Sequence, residues 1–364
     1  MILQEIISHL ESIAPKSLQE SYDNSGLLVG DSNMEITSAV IALDVTEKVV
    51  SEAIKNNSNL IIVHHPIIFG GIKKLTGSNY VERILIQAIK NNIAIYAIHT
   101  NLDNIKAGVN SAFAAAIGLK KLQVLKPIAG QLFKLVTFVP HANAADIRQA
   151  LFNAGAGNIG SYDECSFNIE GTGTFRGNDD SNPVIGERGI THAEPETRIE
   201  VIYPKWKEAA IMTALKKAHP YEEVAYDIIP LANTYQNIGA GMIGSFTHPF
   251  EETYFLEFLK EKMKTDCVRH TALLQKSIKK VAICGGAGSF LLQDAIRAGA
   301  DAFISADFKY HQFFDADNKI LIADIGHYES EQFTIPLLAN LLQKKFPNFA
   351  LHFSSINTNP VNYL

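Results

Sequence analysis

The chain has 364 residues, 47% of them hydrophobic and 19% charged, with a net charge of −6 at pH 7. That length gives room for two or three domains and a large core, and the negative balance excludes a nucleic-acid binder held by a basic surface. Cys165, Cys267 and Cys284 lie far apart with no CxxC pair, which excludes a disulfide framework and a thiolate zinc site.

Residues 1–12 carry no basic residue and no cleavage pattern, so no signal peptide is expected. Ile2, Leu3, Ile6, Ile7, Leu10 and Ile13 instead recur at helical spacing and predict an amphipathic helix. After a polar turn and a short apolar segment (residues 21–30), residues 39–44 predict a buried strand, 47–56 a helix and 59–63 a second strand. That strand ends in His64 and His65, and Pro66 stops its ladder. A loop rich in Gly and Lys (70–77) precedes a helix over 80–90. Residues 93–98 form the third strand, which ends in His99 and the run to Asp103, and 107–117 are helical again. Strands alternating with helices of this length imply a parallel sheet covered on both faces.

Near residue 126 the texture changes. A strand (133–139), a helix (144–153) and a strand (166–175) are followed by a glycine-rich polar stretch, 171–197. Then come a strand (198–203), a helix (207–218) and a strand (224–229). That order is the ferredoxin-like split motif. Its linker boundaries suggest a domain inserted into the first fold, so that the core is divided between 1–127 and 233–364 with the insert at 128–232. The stretch 171–197 is long enough to be a functional loop.

From residue 239 the α/β pattern resumes. A strand (242–246) and a helix (251–264) lead to strands at 267–273 and 280–284. Gly285, Gly286 and Gly288 then open a helix that runs to residue 298. Such a turn offers free amides to an anion, but neither the Walker spacing nor GxGxxG is present, and a tight strand–helix turn alone is the better explanation of the glycines. Strands at 301–305 and 320–325 follow, the last ending in His327 and Glu331 at the start of a helix reaching residue 344. The fold class is therefore α/β: a two-part α/β/α core with parallel-rich sheets, interrupted by a ferredoxin-like (βαββαβ) insert. No apolar run approaches the roughly 20 residues needed to cross a bilayer, and a cytoplasmic protein without a membrane partner is expected.

His64, His65, Asp103, His327 and Glu331 all fall at or just beyond strand ends, where open α/β sheets collect ligands. His327 and Glu331 are four apart across a helix start and can face one point. A His-His pair alone is more often a hydrogen-bonded pair, and HxxxE at a helix start is common; the five together point to metal. Imidazoles with carboxylates suit Zn, Fe, Mn, Co or Ni. Five side chains exceed what one open ion takes, but suit two ions about 3.5–4 Å apart with a bridging water as nucleophile.

Five segments carry a family resemblance: 22–30 (YDNSGLLVG), 63–66 (VHHP), 99–103 (HTNLD), 307–311 (DFKYH) and 326–331 (GHYESE). In that order along the whole chain they resemble the GTP cyclohydrolase I type 2 homologue family, dinuclear-metal-centre proteins that assemble as toroidal homohexamers. Tyr22 and Ser25 stand where the family usually has Trp and Val, a departure read here as packing. The region from 128 to 232 resembles the PII- and CutA-like insertion of the longer members. The resemblance implies that His64, Asp103 and Glu331 hold one metal and His65 and His327 the other, with Asp103 and Glu331 available to bridge.

Two functions fit. In the first, the protein is a metal-dependent, cyclohydrolase-like hydrolase in which a metal-bridging water attacks a nucleotide-like or other small substrate, with His99 or His311 as catalytic proton carriers. In the second, it is a non-catalytic metal-binding regulatory or interaction module whose insert senses a small ligand through 171–197 and 219–223.

Overall fold

The structure is a computed structural model that describes residues 1–364. Helix α1 (Leu3–Ile13) buries Leu3, Ile6, Ile7 and Leu10, the stripe visible in the sequence. Strands β1 (Gly26–Val29), β2 (Ser38–Ala42), β3 (Leu60–Val63) and β4 (Ala94–Ala97) alternate with α2 (Glu47–Lys55) and α3 (Tyr80–Lys90). β2, β3 and β4 are buried at every position, so they read as continuous apolar runs rather than alternation. Thr46 and Asn79 start α2 and α3, their side chains accepting from the amides of Val49 and Glu82. A short helix α4 (Thr100–Asp103), then α5 (Val109–Ala116) and β5 (Lys120–Pro127) complete this half.

Residues 128–235 form a compact unit of their own. It runs β6 (Leu132–Pro140), α6 (Ala144–Asn153), β7 (Ser166–Phe175), β8 (His192–Pro204), α7 (Glu208–Ala218) and β9 (Tyr226–Pro230). The strand order β7-β8-β6-β9, antiparallel throughout, is that of a ferredoxin-like βαββαβ chain. Leu135, Val139, Ile199 and Val201 pack beneath Ile147 and Leu151 of α6 and Ile211 and Leu215 of α7. The stretch 171–197 is not one loop: its two ends continue the β7–β8 ladder, from Gly171↔Glu196 to Phe175↔His192, and only 176–191 connect them. Alternating Gly and Thr give no apolar signal, because backbone pairing holds this hairpin.

The chain then returns through β10 (Gly239–Phe250), α8 (Glu252–Met263), β11 (Arg269–His270), β12 (Ile278–Ala287) and α9 (Leu292–Arg297). β13 (Ala302–Ala306), β14 (Leu321–Asp324), α10 (His327–Glu331), α11 (Thr334–Lys345) and β15 (Ala350–Phe353) follow. Residues 1–127 and 236–364 fold together as one compact unit with two sheets. The first has the order β1-β4-β3-β2-β15 and is parallel except for β1. The second has the order β11-β14-β13-β12-β10-β5, with β12, β13 and β14 parallel and the outer strands antiparallel. The sheets are thus parallel at their centres and mixed at their edges. The strand expected over 267–273 shrinks to β11, and the helix expected over 327–344 divides into α10 and α11. No helix is long and apolar enough to cross a membrane.

Candidate metal centre

The carboxyl ends of β3 and β4 in one sheet and of β12, β13 and β14 in the other deliver their loops to one place. Beyond β3, the amides of His64 and His65 both donate to the Leu43 carbonyl, at 3.1 and 3.0 Å. This turn out of the sheet removes the strand alternation, so both rings can serve one site. Asp103 closes α4 beyond β4, and His327 and Glu331 lie one turn apart on α10.

Glu331 is 3% exposed and divides its carboxylate. Oε1 lies 3.8 Å from His64 Nε2, which is itself 3.5 Å from Asp103 Oδ1. Oε2 lies 2.9 Å from His65 Nε2 and 3.2 Å from His327 Nε2, and those two nitrogens are 3.3 Å apart. Two groups of donors meet at Glu331, His64–Asp103–Glu331 and His65–His327–Glu331, and His64–His65–His99 form a third beside them, each with its atoms within 4.8 Å of one another.

Each imidazole is oriented from behind. His64 Nδ1–H donates to the Ile98 carbonyl (2.8 Å), His65 Nδ1–H to Asp44 (2.8 Å) and His327 Nδ1–H to Asp307 (2.6 Å). This leaves the Nε2 lone pairs directed inward, the usual arrangement of a metal-ligating histidine. Asp44, Asp307 and Asp23 are the supporting residues absent from the sequence-based site; each stands just beyond a strand or in the 22–30 motif, and nothing local says which histidine it serves. The glycine turn has its own function. Gly286 has φ +62°, and a Cβ there would come within 2.5 Å of Glu331 Oε1. Its amide donates to Ser330 Oγ (2.9 Å). Close approach to the cluster, rather than anion binding, accounts for the glycine.

The residues fit divalent cations. His64 Nε2, Asp103 Oδ1 and Glu331 Oε2 are buried without a well-formed hydrogen bond, a costly state for polar atoms unless a cation receives them. Donors at about 2.0–2.1 Å from a tetrahedral ion lie about 3.3–3.4 Å apart, matching His65 and His327. Charge points the same way. Burial and the adjacent Glu331 charge push the Asp103 carboxyl up to about 8. Burial alone would lower His65 and His327, but their bonds to Asp44, Asp307 and Glu331 prevail and raise them to about 10 and about 11. Burial also opposes the Glu331 carboxylate, yet the surrounding imidazoles hold it well below the usual range. The pocket requires positive charge, which protons or metal ions can supply.

His99 joins this group. Its Nδ1–H donates to Asp23 (2.8 Å), and its ring lies 5.1 and 5.3 Å from those of His64 and His65. Asp23 also accepts from Thr100 Oγ1 (2.5 Å) and Ser25 Oγ (2.9 Å). Ser25 is thus part of the hydrogen-bond network that orients His99, not packing alone, and Tyr22 is 67% exposed. His311 is exposed, its ring 5.1 Å from Tyr310, and does not line the cleft. That cleft, about 1350 Å³, opens onto His65, His99 and His327 and is walled by Phe69, Tyr80 and Tyr363.

Two sheets converging on a histidine–carboxylate cluster define an α/β protein with groups able to hold metal ions. The chain belongs to the Duf34/NIF3 (NGG1p interacting factor 3) family, whose model matches residues 1–360. Relatives named GTP cyclohydrolase 1 type 2 homolog are similar over nearly the whole chain. The one from Halalkalibacterium halodurans is 39% identical over 366 residues, covering 99% of this chain and 98% of its own. That from Bacillus subtilis is 38% identical over 367 residues, with the same coverage. The crystal structure of a Bacillus cereus protein related to NIF3 superposes with a TM-score of 0.88 at 39% identity, covering 100% of this chain and 99% of that one.

Proposed function

We propose that this protein binds two divalent metal ions and is a metal-dependent hydrolase of nucleotide-like or other small substrates. The observation that carries the proposal is the division of Glu331, with Oε1 toward His64 and Asp103 and Oε2 toward His65 and His327. His64, Asp103 and Glu331 would hold one ion and His65, His327 and Glu331 the other; Zn, Fe, Mn, Co and Ni all suit these donors. Such a pair supplies Lewis acidity and water that is reactive near neutral pH.

The chain's own residues do the rest. Asp44 and Asp307 keep the two outer imidazoles in the tautomer that presents Nε2. Asp23 does the same for His99, whose Nε2 is free to take the proton of the reacting water and return it to the leaving group. Phe69, Tyr80 and Tyr363 offer exposed ring faces to a flat heterocycle. The relatives' name directs attention to nucleotides, and the family resemblance to a cytoplasmic homohexamer.

The test is turnover by metal-loaded protein on a panel of purine and pyrimidine nucleotides. Hydrolysis should disappear with chelator and return with metal, and His99→Gln should lower kcat by about 10²-fold or more. Metal-loaded protein that turns over none of the panel contradicts the hydrolase and leaves the non-catalytic metal-binding module.

A further inference from the structure

A second cavity, of about 540 Å³, lies wholly within the 128–235 unit. Phe138, Arg198 and Ile169 are register partners across three strands and line it. They lie on the face opposite Val139 and Ile199, which pack under the helices, so the cavity sits over the helix-free side of the sheet. The connection 176–191 covers it. Asn182 N–H donates to Glu222 Oε1 (2.8 Å), and Gly189 N–H donates to the Gly177 carbonyl (2.9 Å), closing the segment on itself. The two stretches that stand out in the sequence, 171–197 and 219–223, thus enclose one space.

Glu196 is its chemical centre. This carboxylate is only 8% exposed, and Oε1 accepts from Tyr221 OH at 2.9 Å. A Cβ on Gly173 would collide with Oε2, so the glycine makes room for the charged group. Arg176 and Arg198 line the same space, but neither forms an ion pair with Glu196. Arg198 is engaged by Glu200 at 2.7 Å. His219 has Nε2–H donating to the Phe138 carbonyl and Nδ1 accepting from Tyr221 N–H, the pattern of a neutral ring. A half-enclosed carboxylate among apolar walls calls for a positive partner. The rings of Phe175 and Tyr221, 5.9 Å apart, flank the same space with faces that attract cations.

We infer that this cavity binds an organic ammonium ion with an apolar body, held by Glu196 and the two rings. An anion would meet Glu196, with Glu170, Glu222 and Glu223 also on the lining, and a bare metal ion would find no cluster of three donor groups there. The inference is independent of the metal centre. It is tested by calorimetry on the full chain with 2-phenylethylammonium, neutral 2-phenylethanol and anionic 3-phenylpropionate. The ammonium should bind with a Kd of about 1 mM or tighter, the alcohol about tenfold more weakly, and the anion not at all. Glu196→Gln, which can retain the Tyr221 bond, should lower ammonium affinity about tenfold. Phe175→Leu, should the first variant fail to fold, should weaken the ammonium about two- to fivefold without affecting the alcohol. Equal binding of ammonium and alcohol, no saturable ammonium binding, or wild-type affinity in folded Glu196→Gln protein would overturn it.

Discussion

Each imidazole of the cluster uses one nitrogen for orientation and presents the other to the site. His65 is held through two bonds in series: Thr358 Oγ1 donates to Asp44 Oδ2 (2.6 Å), and Asp44 Oδ1 accepts from His65 Nδ1–H (2.8 Å). Asp44→Asn should leave the fold intact and weaken metal affinity by about 10–100-fold, read by competition with a chelating dye; unchanged affinity would show that Asp44 does not orient the ligand. Protonation gives a second outcome. Without metal, His65 and His327 are raised from 6.5 to about 10 and about 11, and Asp103 from 3.8 to about 8. A raised pKa stabilises the fold below the ordinary value, and that contribution is lost as pH climbs through the folded one. Chelator-stripped protein should therefore lose thermal stability between pH 7 and 10 relative to metal-loaded protein, because coordinated ligands are already deprotonated. Metal affinity should move the opposite way, rising with pH. Parallel Tm curves for the two forms would contradict this charge balance.

Among the elements, β2, β3 and β4 are legible in the sequence because strands buried on both faces are unbroken apolar runs. The candidate ligands are legible for a related reason: His64, His65, Asp103, His327 and Glu331 are polar exceptions at or just beyond the points where such runs stop. The supporting acceptors are not, since nothing in the sequence pairs Asp44 with His65 or Asp307 with His327 until the fold brings each carboxylate to Nδ1. β15 is hidden because its burial is partial and its partner, β2, lies more than 300 residues earlier. β5 is hidden because its lysine-rich side chains are largely exposed while its backbone pairs with β10. The glycines at the end of β12 have two sequence readings, and packing selects one for Gly286: Glu331 lies against it. Gly286→Ala should cost about 1–3 kcal/mol from its left-handed backbone alone, and it should displace Glu331. Urea denaturation and bound metal should both fall; a variant that keeps both would contradict the packing argument.

On the scale of the whole molecule, one unit is assembled from the two ends of the chain, and residues 128–235 fold between them as another. The candidate metal centre draws His64, His65 and Asp103 from before that unit and His327 and Glu331 from after it. Neither end alone supplies the donors on both sides of Glu331, so the two segments of the core must come together before Glu331 reaches His64 and His65. The central claim is that Glu331 joins two metal positions, and elemental analysis tests it most directly. Metal content per chain is measured for wild type, His64→Ala, His65→Ala and Glu331→Ala after identical loading. The account predicts about two ions in wild type, about one in either histidine variant and fewer than one in Glu331→Ala. A single ion in wild type, or a full complement retained by Glu331→Ala, would contradict it.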